Sequence, residues 1–257
     1  MNTLKIFCSL LLILYLVGGC LLYIFQRDFM YFPSPQVRHD FEVEQFSNGG
    51  EKVDVVVLNR GKMNAIIYFG GNGEQVVYNA RDFEANFGNY TIYLVNYRGY
   101  GGSSGLPTED GIYSDAHKIY DSIAKQYQSI SVSGRSLGSG VATYLASTRD
   151  ISKMVLITPY DSILNVAKNK YPIYPISILL KDKYLSVSRV KDIKSNVLIL
   201  VADQDNVIPA ENTDALISAF PLSQIRVEKF ESAGHNSISS DRRYYPLLAD
   251  FFKEDSQ

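Results

Sequence analysis

From Val53 onward, short apolar runs rich in β-branched residues alternate with stretches whose apolar residues recur every three or four positions. The runs VDVVVLNR (from Val53), NAIIYFG (from Asn64), YTIYLVNYR (from Tyr90) and SISVSG (from Ser129) read as strands. So do KMVLITP (from Lys153), NVLILVAD (from Asn196) and QIRVEKF (from Gln224). Between them, Val76, Val77, Ala80, Phe83 and Phe87 keep a helical period, as do Ile112, Ala116, Ile119 and Ile123. LGSGVATYLAST, PAENTDALISAF and YYPLLADFFK complete the helical set, and the alternating FEVEQF (from Phe41) precedes everything as one more strand. Such alternation predicts an α/β fold, a mostly parallel sheet with helices on both faces. Right-handed crossovers then gather the strand-to-helix loops at the carboxyl edge, where ligands bind in such sheets. Residues 160–195 break the rhythm. They are rich in Tyr and Pro and are expected to form a short helical excursion over that edge, a minimal cap.

The N-terminus follows a different rule. Ile6 to Phe25 is an uncharged apolar run, preceded by Lys5 and ended by Gln26, Arg27 and Asp28. A helix of that length matches the hydrocarbon thickness of a bilayer, roughly 30 Å. The expected organisation is a single-pass membrane anchor over residues 1–28 and a globular domain over residues 29–257. A cleaved signal peptide competes, but its apolar core is usually shorter. A lipoprotein also competes, because VGGC places small residues before Cys20; against it, LLYIF continues the apolar run beyond the cysteine. Charge around the run gives little orientation bias, and the short leading segment favours a globular domain outside the cytoplasm.

Composition excludes several classes. A net charge of −2 offers no basic field for nucleic acid. Both cysteines, Cys8 and Cys20, fall in the apolar run, so the domain is expected to hold no disulfide and no thiolate metal site.

One corner carries the chemistry. Gly134-Arg135-Ser136-Leu137-Gly138 fits G-x-S-x-G where a strand turns into a helix. A serine on so tight a turn leaves no room for neighbouring Cβ atoms, which accounts for the glycines two steps to either side. The turn lifts the Ser136 hydroxyl above the sheet and directs the Leu137 N–H toward a developing oxyanion. A serine hydroxyl needs a base. Of the three histidines, His235 lies in ESAGHNS just past the last strand, at the carboxyl edge; His117 lies on a helix beside Lys118 and His39 in the stretch after the anchor. The histidine needs a carboxylate to fix its tautomer. LILVADQDNVIP offers Asp203 and Asp205, and Asp205 lies further into the loop, where the chain can cross to His235.

The order Ser136, Asp205, His235 is that of α/β-hydrolases. From about Tyr31 to its C-terminus the chain resembles that superfamily through YFPSP, YFGGNGE, VNYRGYGGSSGLPTEDGIYSDA, GRSLGSG, DQDNVIP and AGHN. Within it, the chain is similar to small, N-terminally anchored serine hydrolases that include depalmitoylating and monoacylglycerol lipase-like enzymes. The resemblance implies that the residue after the glycine of the early loop supplies the second oxyanion N–H, here Asn72. Two departures stand out. The family usually has His-Gly-Asn where this chain has Gly70-Gly71-Asn72, and losing the histidine is expected to loosen that loop. Ala202 stands where glycine is common, with slight strain expected.

The expected activity is hydrolysis of carboxylic esters or thioesters through an acyl-enzyme, without metal or organic cofactor. Lipid-like or acylated substrates near a membrane suit the anchor. The alternatives are a catalytically silent membrane-tethered scaffold and a serine peptidase of the same fold.

Overall fold

The computed structural model describes residues 2–253. Residue 1, where the expected anchor begins, and residues 254–257, where the expected domain ends, lie outside the described residues.

Among the described residues, eight strands form one sheet in the order β1-β2-β4-β3-β5-β6-β7-β8. They are β1 (Glu42–Asn48), β2 (Glu51–Leu58), β3 (Asn64–Phe69), β4 (Tyr90–Val95), β5 (Ser129–Arg135), β6 (Lys153–Ile157), β7 (Asn196–Ala202) and β8 (Ile225–Phe230). β1 pairs antiparallel with β2, and β2 antiparallel with β4; every other pairing is parallel. All six residues of β4 and all five of β6 are buried. These strands carry near-continuous apolar runs because both faces of the sheet are covered.

The helices are α1 (Asn2–Met30), α2 (Ala80–Asn86), α3 (Glu109–Ile123), α4 (Leu137–Thr148), α5 (Ile163–Lys170), α6 (Ile176–Leu179), α7 (Ser186–Arg189), α8 (Ala210–Ala219) and α9 (Tyr244–Lys253). Two cores flank the sheet. On one face Ile112, Ile119, Val141, Leu145 and Leu216 of α3, α4 and α8 pack on Ile67, Val132 and Ile199. On the other, Phe83 of α2 and Leu248 and Phe251 of α9 pack on Ile66, Tyr68 and Leu198. α3 begins where Thr108 caps it, its hydroxyl accepting from the Gly111 N–H at 3.0 Å, with Glu109 and Asp110 in the positive first turn.

Register positions the loops that matter. Phe69 of β3 lies opposite Gly134 of β5, and Arg135 opposite Ile157 of β6. Ala202 of β7 lies opposite Phe230 of β8. The loops after β3, β5, β7 and β8 therefore emerge at one edge. Residues 160–195 contain no strand and form α5, α6 and α7 over that edge, as the broken rhythm implies.

The apolar run ends at Phe25, but the helix continues to Met30 and does not stand apart from the domain. Arg27 forms a two-pronged ion pair with Asp182, at 2.8 and 3.2 Å. Gln26 donates to the Leu179 carbonyl at 3.1 Å and accepts from the Lys181 N–H at 2.6 Å. Tyr31 is buried, and its hydroxyl meets that of Tyr184 at 2.9 Å. A boundary at residue 28 would cut through this docked helix.

Candidate active site

Ser136 is the single residue between β5 and α4. Its backbone stands at φ 49°, ψ −116°, a region an L-residue enters only under strain. Its N–H donates to the Ile157 carbonyl at 2.9 Å. A Cβ added at Gly134 would lie 2.2 Å from the Gly138 oxygen, and one at Gly138 would lie 2.0 Å from the Phe69 oxygen. Both obstacles are backbone, so glycine is required at each position.

The loops after β5, β7 and β8 bring three side chains into one row. His235 Nε2 lies 2.8 Å from Ser136 Oγ, and His235 Nδ1 lies 2.7 Å from Asp205 Oδ2. Asp205 also accepts the Val207 and Ile208 N–H groups on Oδ1, each at 2.8 Å. Burial alone would raise its carboxyl. The hydrogen bond from His235 and the two backbone N–H groups outweigh burial and hold it below the ordinary carboxylate value. An ionised carboxylate only accepts, so Nδ1 carries the proton and Nε2 is left to accept from the serine. Asp203 is exposed on the strand side of the loop. His117 bonds Thr148 Oγ1 at 2.7 Å on a distant helix pair.

Asn72 and Leu137 both line the groove beside Ser136. Gly71 N–H is already engaged by Glu74 Oε2 at 2.6 Å, which leaves the next amide, that of Asn72, as the loop's candidate oxyanion donor. The Asn72 side chain is held on three sides. Its oxygen accepts from Phe32 N–H and the Tyr100 hydroxyl, and its amide donates to the Met30 carbonyl.

The loop is not loosened by the missing histidine. Glu74, three residues after Gly71, reaches back to its N–H and also accepts from the Tyr68 hydroxyl at 2.8 Å. Tyr97 donates to the Gly70 carbonyl at 2.7 Å. Arg135 then joins this loop to the histidine loop, approaching Glu74 at 3.5 Å and the carbonyls of His235 and Asn236 at 3.4 Å. Burial opposes its charge, but Glu74 prevails and the guanidinium stays firmly protonated. The roles of Glu74 and Arg135 were missed from sequence. A carboxylate three positions after a tight turn, as in GGNGE, is the signal that points to the first. The strain expected at Ala202 is absent, since its φ is not positive.

Above Ser136 lies an apolar groove of about 270 Å³. α5 and the cap supply Ile163, Val166, Ile176 and Leu179; α1 supplies Leu22, Phe29 and Met30.

Solved structures share this architecture. The esterase Pf2001 of Pyrococcus furiosus superposes with a TM-score of 0.69 at 16% identity, covering 87% of this chain and 99% of its own. The meta-cleavage product hydrolase of Pseudomonas fluorescens IP01 gives 0.64 at 17% identity, over 82% of this chain and 97% of its own. The chain has the α/β-hydrolase fold. No protein-family model matches it. Among curated proteins, the chain is 34% identical over 150 residues to an uncharacterized protein of Mycobacterium tuberculosis, covering 57% of the chain and 53% of the relative. It is 28% identical over 173 residues to alpha/beta hydrolase domain-containing protein 17B of Homo sapiens, covering 65% and 58%. It thus spans just over half the length of the curated relatives it matches.

Proposed function

We propose that the chain is a membrane-anchored serine hydrolase that cleaves carboxylic esters or thioesters of lipid-like substrates. The observation that carries this reading is the continuous row from Asp205 through His235 to Ser136, opening into an apolar groove. In it, His235 Nε2 takes the Ser136 proton as Oγ attacks the carbonyl carbon. The N–H groups of Leu137 and Asn72 stabilise the tetrahedral oxyanion. Collapse expels the alcohol or thiol, which receives the proton from His235. Water then enters, gives a proton to His235 and attacks the acyl-enzyme, freeing the acid and restoring Ser136. Asp205 holds the imidazole in place throughout and balances its transient charge.

The relatives carrying alpha/beta hydrolase and esterase names support the chemistry. α1 supports the anchor, being long and apolar enough to cross a bilayer. We place the catalytic domain on the far side from the short N-terminus, outside the cytoplasm. A chain-length series of nitrophenyl esters and acyl thioesters tests the substrate class. Turnover rising from acetyl to long acyl chains is expected; turnover confined to the shortest chains would refute lipid-like substrates.

A further inference from the structure

The groove has an unusual wall, and the cap an unusual composition. Residues 171–180, YPIYPISILL, form an uncharged run between Lys168 and Lys170 on one side and Lys181 and Lys183 on the other. Ile173 and Ile178 point outward, 70% and 82% exposed. Long cationic side chains bracketing an apolar run are placed to reach lipid headgroups while the run lies deeper.

The contacts of this run with α1 set its position along that helix. Tyr174 stacks on Tyr15 with ring centroids 4.9 Å apart, and the Tyr15 hydroxyl donates to the Ile173 carbonyl at 3.0 Å. Gly18 and Gly19 admit the Tyr174 ring; a Cβ at Gly18 would lie 2.3 Å from its hydroxyl. At 1.5 Å rise per residue, Tyr15 lies about 15 Å along the helix from Phe25, roughly half the hydrocarbon thickness. If α1 crosses the bilayer, the tip of the cap reaches toward its middle.

Most backbone donors of the run are paired within the protein. Pro172 and Pro175 have no N–H. The N–H groups of Tyr171, Tyr174, Ile176, Ile178, Leu179 and Leu180 all have backbone acceptors within the protein. Gln26 satisfies the Leu179 carbonyl. Unpaired backbone groups are costly in hydrocarbon, so this pairing lowers the cost of immersing the run against α1.

We propose that residues 171–180 are immersed in one leaflet beside α1, so that the groove above Ser136 opens sideways into hydrocarbon and receives a fatty acyl chain from within the membrane. α1 is then a wall of the acyl site as well as a tether, through Leu22, Phe29 and Met30. The acyl occupant rests on the hydrolase reading above; the immersion does not.

The full chain, with Cys8 and Cys20 replaced by serine, is reconstituted into phosphatidylcholine vesicles with a fluorophore at Ile178→Cys. A second sample carries it at Leu222→Cys, which is 87% exposed and precedes β8, at the opposite edge of the sheet. Lipids bearing a nitroxide at mid-chain should quench the first and spare the second. Ile173→Asp with Ile178→Asp should slow turnover of a vesicle-borne long-chain ester about tenfold or more while leaving soluble nitrophenyl acetate within about twofold, because neither side chain lines the groove. Equal quenching at 178 and 222 overturns the proposal. So does equal loss on both substrates in a variant that still takes a fluorophosphonate on Ser136. A wild-type chain that refuses the fluorophosphonate while residue 178 stays quenched refutes the hydrolase reading and the acyl occupant with it, and leaves the immersion standing.

Discussion

Ser136 is held in a left-handed backbone conformation that a non-glycine residue reaches at a cost of about 1–3 kcal/mol. The surrounding backbone sustains it through the Ile157 carbonyl and the two flanking glycines. Its hydroxyl is thereby fixed against His235 without competing for a cap at the start of α4. On this account Asp205→Asn should leave the row in place but lower kcat roughly 10⁴-fold, because an amide neither fixes the tautomer nor balances the imidazolium; ester hydrolysis within tenfold of wild type would contradict it. The depressed carboxyl also links Asp205 to stability. Its contribution is complete above the ordinary value of 3.8 and fades as pH falls through the lower native value. The stability gap between wild type and Asp205→Asn, measured by urea unfolding, should therefore be wider at neutral pH than at about pH 3. Ser136, His235 and Asp205 were legible because each follows the end of a recognisable strand. Glu74 was harder to read, because its one trace is a carboxylate three positions after the turn, a local spacing rather than a period.

At the scale of elements, the strand-to-helix corner depends on close backbone approach. Gly138 opens α4 against the end of β3, and a methyl group there would meet the oxygens of Phe69 and Gly70 at 2.0 and 2.7 Å. Neither oxygen can move without shifting β3 or the loop that carries Asn72. Gly138→Ala should therefore cost about 1–3 kcal/mol, read as a fall in Tm of roughly 2–4 °C per kcal/mol. Activity should fall with it, as the candidate oxyanion loop is displaced. An unchanged Tm would show that the corner relaxes more easily than the geometry implies. All eight strands were legible, because β-branched apolar runs bounded by Gly, Asn and Pro have few other solutions. α5, α6 and α7 were legible only as an excursion. Helices of four to eight residues, interrupted by Pro172 and Pro175, are too short to establish a period.

For the whole molecule, the sheet edge, the cap and α1 form one unit. Sequence separates an apolar helix from a domain, because hydropathy changes abruptly at Gln26. It carries no sign that Arg27 would pair with Asp182, 155 residues away, or that Tyr31 would meet Tyr184. Those contacts are long-range and depend on where the cap falls. They orient α1 against the groove, so that this helix forms one wall of the approach to Ser136. The reading as a whole stands on Ser136 being an activated nucleophile. A fluorophosphonate applied to the intact chain, followed by peptide mass spectrometry, tests this directly. The account predicts a phosphonyl adduct on Ser136, absent in Ser136→Ala and strongly reduced in folded His235→Ala. A folded wild-type chain that gains no adduct, or gains one elsewhere with Ser136 untouched, would contradict it.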